Sequence, residues 1–131
     1  CKAKSPSDKG MKKKSDPRHL KRTALMQKLF SWHFRENKAP PLKIRGIVSH
    51  LSKIDKLIIK SAPDRPITQI NKVDLAILRL AVFELIIDKG VPPKVVIDEA
   101  VELGKEYGSD SSASFINGAL GKLVEISKIV I

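Results

Sequence analysis

The chain has 131 residues, enough for one domain, and a hydrophobic content of 42% that is sufficient for a core. Aromatic residues make up only 5%, so we expect that core to be mostly aliphatic. The single cysteine, Cys1, excludes an internal disulfide and a site built from several cysteines. No apolar run approaches the roughly 18 residues that span a bilayer, and no secretory signal is recognisable, so we expect a cytoplasmic protein without a membrane partner.

Five amphipathic helices with short connections are predicted along the chain, and no alternating strand pattern is present. The expected fold class is therefore all-α. Asp16 and Pro17 predict the start of the first helix, as N-cap and first helical residue. The predicted helices cover about 18–35, 42–60, 70–87, 94–107 and 112–128.

The third predicted helix, "INKVDLAILRLAVFELII", has the broadest apolar surface in the chain and is expected to lie centrally, covered by its neighbours. Gly90 is predicted to close it. In the fourth predicted helix, Val95 and other apolar residues are expected to face inward. The carboxylates of that helix, at Asp98, Glu99, Glu102 and Glu106, are expected to face water.

Positive charge is concentrated near the N-terminus. The net charge is +11, and residues 1–22 hold nine Lys or Arg against two Asp, which is +7. The other 109 residues hold sixteen against twelve, which is +4. We predict a disordered basic arm over residues 1–17 and one helical domain over 18–131. Such an arm is typical of a polyanion-binding protein, although a solubilising tail has the same composition.

The stretch "SFINGALGKL", residues 114–123, places two glycines ahead of a lysine, as phosphate-binding loops do. A Walker A loop needs four residues before its Gly-Lys pair and a Ser or Thr after it, and neither is present. A KH-type GxxG loop needs strands that are not predicted here. Gly118 and Gly121 are therefore predicted to lie within a helix. Their cost of about 1 kcal/mol each there suggests close packing against a neighbouring helix.

No pattern in the chain points to an enzyme. The three histidines are scattered without metal-binding spacing, and the serines at 109–114 have no histidine partner nearby and no nucleophile-elbow motif. We expect no catalytic residue, no metal and no cofactor.

The first helix carries the features that suit RNA. Arg18, Arg22, Met26 and Phe30 follow at four-residue intervals, and Lys21 adds charge nearby. Cations neutralise phosphates and a ring stacks on an unpaired base. The alternative is that Phe30 belongs to the core and the arginines only aid solubility, and spacing alone leaves both open.

Several blocks of this sequence resemble the NusB family of bacterial transcription antitermination factors, from about Arg18 to Val124. They are "LFSWHF" at 29–34, "NKVDLAILRLAVFEL" at 71–85, "VPPKVVIDEAVELGKEYGS" at 91–109 and "FINGALGK" at 115–122. The second and third, which are consecutive, form a long and specific match.

The resemblance implies an all-helical fold of two packed helical bundles forming one compact domain, without catalytic activity. It also implies binding of boxA RNA in ribosomal RNA transcripts. In the family this occurs together with NusE, a small-subunit ribosomal protein, within an antitermination complex on RNA polymerase. Some members of the family self-associate, so a homodimer is possible.

Carried over by position, the resemblance implies RNA-binding roles for a small set of residues. The basic helix start is expected at Arg18, Lys21 and Arg22, and the RNA-facing aromatics at Phe30 and Phe115. Ser111, beside Asp110, and Lys122 complete the expected RNA surface. Asp74 is the expected NusE contact.

The chain departs from the family at three places. Gly121 stands where aspartate is usual, Ser114 stands where a basic residue is frequent, and the connection from Glu36 to Leu42 is short. Two alternatives to an antitermination factor remain. The first is a NusB-like domain of a ribosomal RNA methyltransferase, where the same fold precedes a catalytic domain. The second, which the departures at Gly121 and Ser114 support, is a protein-interaction module that has lost RNA binding.

Overall fold

A computed structural model describes residues 16–131. Residues 1–15 of the predicted basic arm therefore lie outside the described part of the chain. The described part contains α-helices and no strand, which confirms the all-α prediction. The helices are α1 (Pro17–His33), α2 (Arg45–Val48), α3 (Leu51–Ser61), α4 (Lys72–Val82), α5 (Pro93–Tyr107) and α6 (Ser112–Ile126). Short 3-10 turns cover Leu42–Ile44 and Ile67–Gln69, and a π-helical segment covers Phe83–Asp88.

The start of α1 is where the sequence predicts it. Asp16 is the N-cap, and its carboxylate accepts a hydrogen bond of 2.8 Å from the backbone N–H of Arg18. Pro17 takes the first helical position, where its missing N–H costs nothing. This local chemistry fixes the residue at which α1 begins.

The prediction of one continuous helix over residues 42–60 is wrong, because the structure has two α-helices there. An uninterrupted α-helix would use the carbonyl of Gly46 to accept from the backbone N–H of His50. Instead the hydroxyl of Ser49 donates to that carbonyl at 2.8 Å, and Nδ1 of His50 lies 2.9 Å from it. The backbone N–H of His50 donates to the carbonyl of Ile47 at 3.1 Å. The helix is therefore interrupted between Val48 and Leu51, which separates α2 from α3.

Helix α4 lies at the centre, as predicted, in contact with α1, α3, α5 and α6. Every residue from Asp74 to Val82 is buried. The predicted closure at Gly90 is wrong by one residue, because Lys89 takes the left-handed conformation, with φ 56°. The Lys89 N–H bonds to the carbonyl of Glu84, five residues back, at 3.0 Å, which is the wide hydrogen bond of a π turn.

Helices α5 and α6 pack closely because of glycines other than the predicted ones. A Cβ added at Gly104 would lie 2.9 Å from Cδ1 of Ile116, and one at Gly108 would overlap the side chain of Ser112, the first residue of α6. At Gly118 and Gly121 an added Cβ would meet nothing within 4 Å. The prediction that Gly118 and Gly121 pack against a neighbour is therefore wrong, since both face outward on α6.

The core is aliphatic, as its composition predicts. Leu29, Ile54, Leu78, Leu103 and Ile116 are completely or almost completely buried, each from a different helix. The predicted inward position of Val95 is wrong, because that side chain is exposed. No helix in the described part of the chain is long and apolar enough to cross a membrane.

Candidate nucleic-acid interface

The first half of α1 is anchored by a buried ion pair. Arg22 donates from Nε and Nη2 to the two carboxylate oxygens of Glu84, at 3.0 and 2.8 Å, and its Nη1 lies 4.0 Å from Glu99. Burial disfavours the charged guanidinium, but Glu84 and Glu99 outweigh it and raise the pKa of Arg22. The RNA-binding role predicted for Arg22 does not fit this position. Its donors are already directed at carboxylates inside the protein.

A second buried contact holds His19 against α5. Its Nδ1 lies 2.9 Å from a carboxylate oxygen of Glu99, and its Nε2 lies 2.8 Å from one of Glu106. Ionised carboxylates only accept hydrogen bonds, so both contacts are satisfied when the imidazole carries both protons. Burial lowers the pKa of His19, but the two carboxylates outweigh burial and raise it.

The buried position of Glu99 corrects the prediction that the α5 carboxylates all face water, because Glu99 is only 1% exposed. Sequence reasoning missed the contact with His19, since the two residues are 80 positions apart. Within residues 16–131 no group of three or more His, Cys, Asp or Glu side chains is arranged to hold a metal ion.

Four predicted RNA-binding residues reach the surface. Arg18 has 86% of its side chain exposed and lies 3.7 Å from Asp16, a weak surface pair. Lys21 and Ser111 are exposed, and Lys122 is exposed at 3.9 Å from Glu125. All four side chains are accessible to a partner.

The ring of Phe30 is half-buried and does not share a face with the exposed cations of α1. It packs edge-on against Phe34, with ring centroids 5.2 Å apart. Next to Phe34, His33 lies 3.3 Å from Arg79, and burial together with the positive charge of Arg79 lowers the pKa of His33. Phe30 therefore belongs to a cluster at the end of α1, far along the helix from Arg18.

The ring of Phe115 has a cationic partner that the sequence did not reveal. The guanidinium carbon of Arg65 lies 4.0 Å from the ring centroid, and both side chains are half-buried. Arg65 lies in the turn "SAPDRP", 50 positions before Phe115, so no periodicity connects them. Only the packing of α3 against α6 shows the pair, which can present a π face and a positive charge together.

The predicted partner residue Asp74 is not at the surface. It is 2% exposed, and its Oδ1 has no hydrogen-bond partner within the described residues. Burial raises the pKa of Asp74, while Ser112 and the positive charge of Arg65 act in the opposite direction. A direct contact between this carboxylate and a partner protein is incompatible with its burial.

The structure therefore brings some of the predicted residues together and separates others. The bond from His19 to Glu106 holds the first turn of α1 against the last turn of α5, and α6 begins five residues after that helix ends. The start of α1 is thus linked through α5 to the start of α6, which carries Ser111 and Phe115. Phe30 and Phe115 make separate ring contacts, one with Phe34 and the other with Arg65.

Comparison with known proteins first defines the class of this helical fold. NusB of T. maritima superimposes with a TM-score of 0.76 at 33% identity, over 84% of this chain and 92% of that one. Residues 41–125 match the NusB family. The chain belongs to the NusB family.

Curated relatives carry the name transcription antitermination protein NusB. The protein of Roseiflexus castenholzii is 49% identical over 81 residues, which are 60% of this chain and 57% of that protein. The protein of Colwellia psychrerythraea is 35% identical over 133 residues, covering 86% of this chain and 96% of that protein. The match to the Roseiflexus protein thus spans little more than half of its length. These relatives are named as antitermination factors and not as enzymes.

Proposed function

We propose that this protein is a non-enzymatic factor in transcription antitermination that binds single-stranded boxA-type RNA together with NusE. The observation that carries the proposal is the pair formed by Phe115 and Arg65 at the start of α6, with a guanidinium 4.0 Å from the ring centroid. A half-buried ring beside a cation is suited to an unpaired base and its phosphate. The names of the relatives support the antitermination role.

Within this proposal, charge comes from the start of α1 and stacking comes from the start of α6. Arg18 and Lys21 supply phosphate contacts, Ser111 supplies a polar contact at the start of α6, and Lys122 supplies a cation two helical turns after Phe115. Arg22 acts indirectly, because its buried pair with Glu84 fixes the helix that presents the exposed cations. Phe30 supports the end of α1 through Phe34.

The proposed NusE contact is made by exposed neighbours of Asp74 and not by its own carboxylate. Asp110 is exposed and lies two residues before Ser112, which interacts with Asp74. An acidic group at this position suits a basic ribosomal protein. In a pull-down with NusE, Asp110→Lys is therefore expected to weaken the complex more than Asp74→Asn.

The test of RNA binding uses two substitutions of the same ring. Phe115→Leu keeps an apolar side chain but removes the π face, and Phe115→Trp keeps a stacking surface. We expect the leucine variant to weaken boxA-type RNA binding by roughly tenfold, since stacking contributes about 1–3 kcal/mol per base. The tryptophan variant should bind within about threefold of wild type. If the two variants bind boxA-type RNA with equal affinity and their melting temperatures are unchanged, the RNA does not stack on this ring.

A further inference from the structure

The outer face of α1 carries a row of cations that begins at Lys21 of the proposed boxA site and continues beyond it. Lys28 lies two helical turns after Lys21 on the same side, and Arg35 continues this spacing in a turn whose N–H bonds to the carbonyl of Trp32 at 2.7 Å. Lys38 follows three residues later. Within the described residues, none of these four cations lies within ion-pair distance of a carboxylate.

The later cations line a groove of about 410 Å³, which we call the polar groove. Lys28, Arg35 and Lys38 stand around it, and its remaining lining combines polar Gln27 and Ser31 with the apolar side chains of Ala24, Trp32, Ala39 and Pro41. The buried Trp32 donates from Nε1 to the carbonyl of Lys38 at 3.1 Å, which fixes the loop carrying that lysine. Cations with amide and hydroxyl groups between them are the usual contacts of a sugar–phosphate backbone.

The earlier cations line a second groove of about 810 Å³, which we call the apolar groove. Its lining includes Leu25, Ile47 and Phe83, with Lys21 and Lys43 among the cations around it. Lys28 lines both grooves, so the two meet at that residue. The carboxylates that also line the apolar groove are Glu84, already paired with Arg22, and Asp88.

We propose that the outer face of α1 holds a further stretch of single-stranded RNA, running from the apolar groove into the polar groove. This inference rests on the proposed function, because the stretch is a continuation of the bound transcript outside its boxA element. The apolar groove accepts an unpaired base, and the row of cations follows the phosphates. The distance from Lys21 to Arg35 is about 21 Å at 1.5 Å per helical residue, room for several nucleotides.

Charge distribution favours RNA over an acidic protein segment as the occupant. An amphipathic helix would cover the apolar groove and place its acidic side chains on the rim. The cations continue beyond that groove into a second one, whose lining mixes Gln27 and Ser31 with apolar side chains such as Pro41, so positive charge is what runs along both grooves. A polyanion uses the whole row, and it offsets the mutual repulsion of these positive charges.

The test compares two RNAs and two triple variants by fluorescence anisotropy at several salt concentrations. One RNA contains only the boxA-type element, and the other carries about ten additional unpaired nucleotides on each side. The first variant combines Lys28→Gln, Arg35→Gln and Lys38→Gln. The matched control combines Lys53→Gln, Lys56→Gln and Lys60→Gln, which removes the same charge from exposed positions of α3.

We expect wild type to bind the longer RNA more tightly, by roughly tenfold. In the α1 variant that advantage is lost, and the salt slope for the longer RNA falls by about 2, at roughly 0.7 per phosphate contact. Its affinity for the short RNA stays within about twofold of wild type. The α3 control keeps both the advantage and the slope, and thermal melts show that both variants fold.

The outcomes separate this inference from the proposed function. If wild type fails to bind the short RNA even with NusE present, the proposed function is wrong. If wild type binds the short RNA but gains nothing from the longer one, only the α1 track is wrong. The track is also refuted if the α1 variant keeps the full slope, or if the α3 control loses as much. If the α1 variant keeps the full salt slope for the longer RNA, the two grooves bind a protein partner and not RNA.

Discussion

Removing Arg22 tests whether this arginine is a structural anchor or an RNA ligand. In Arg22→Met, the carboxylate of Glu84 stays in place with its side chain only 11% exposed and loses two hydrogen bonds of 2.8 and 3.0 Å. Breaking a buried pair by removing one partner typically costs 3–5 kcal/mol. We therefore expect the free energy of unfolding to fall by about 3 kcal/mol, near the lower limit because the pair is not completely buried.

Removing Glu84, the other partner of the pair, should reduce the free energy of unfolding by less. In Glu84→Leu the guanidinium of Arg22 keeps Glu99 as a neighbour at 4.0 Å, so its charge is not left isolated. We expect a loss of roughly 1–2 kcal/mol for the hydrogen bonds to a charged group. The double variant Arg22→Met with Glu84→Leu leaves no unpaired charge, and we expect it to lie within about 1 kcal/mol of wild type.

The assay is urea unfolding followed by circular dichroism, with the four proteins forming a double-mutant cycle. RNA binding of the double variant is measured beside it. Because Arg22 faces into the protein, the double variant should bind RNA within about twofold of wild type, whereas Lys21→Gln should weaken binding. The reasoning is refuted if Arg22→Met costs less than 1 kcal/mol and weakens RNA binding as much as Lys21→Gln does. If Arg22→Met alone does not fold, Glu84→Leu and the double variant still decide the question.

Three further predictions concern stability. Because the pKa of His19 is raised in the folded state, protonation of His19 stabilises the fold. That stabilisation is complete below the ordinary pKa of about 6.5 and is lost as pH rises through the folded-state pKa. We therefore expect His19→Gln to flatten the pH dependence of the free energy of unfolding above pH 6.5. Equal pH dependence in both proteins would contradict the buried contact. The raised pKa of Asp74 penalises its charged form in the folded state, so Asp74→Asn should raise the melting temperature at neutral pH, and a lower one would show that the carboxylate is satisfied. Gly118→Ala and Gly121→Ala should each stabilise by about 0.5–1 kcal/mol from helix propensity, whereas Gly104→Ala should destabilise because its Cβ would lie 2.9 Å from a neighbouring side chain. Thermal melts check these signs, and stabilisation by Gly104→Ala would contradict the packing of α5 on α6.

The parts of the fold that could be predicted are those set by local chemistry. Asp16 and Pro17 start α1 whatever lies around them, since a cap and a pre-set φ act within one turn. The apolar residues of α4 predict a central position because such a surface must be covered on every side. These signals need no knowledge of tertiary contacts.

The errors arise where a distant residue or a competing hydrogen bond decides. Gly104 and Gly118 have the same helical preference, and only the position of Ile116 makes one of them crowded. The break between α2 and α3 depends on the side chains of Ser49 and His50, which contact the backbone carbonyl of Gly46. Hydrophobic periodicity contains no information about such a contact. Local pattern therefore predicts elements better than it predicts their interruptions.

The candidate site was harder to predict than the fold, for the same reason. Arg18 and Arg22 are one turn apart and chemically identical, yet one is exposed and the other is bound to Glu84, 62 positions away. The partner of Phe115 is Arg65, which lies in a turn with no periodicity. Which cations are available to a ligand depends on which carboxylates fold against them.

The wide turn at Phe83–Asp88 decides how this region responds to a change of chain length. Tightening the turn to α-helical geometry would leave one residue to spare before Lys89, so the segment can lose one residue and close as an α-helical turn. Glu84 stands near the start of the segment and holds Arg22, so deleting Glu84 itself removes the carboxylate that anchors α1. A one-residue deletion after Glu84 should therefore be tolerated, whereas deletion of Glu84 should loosen the first helix.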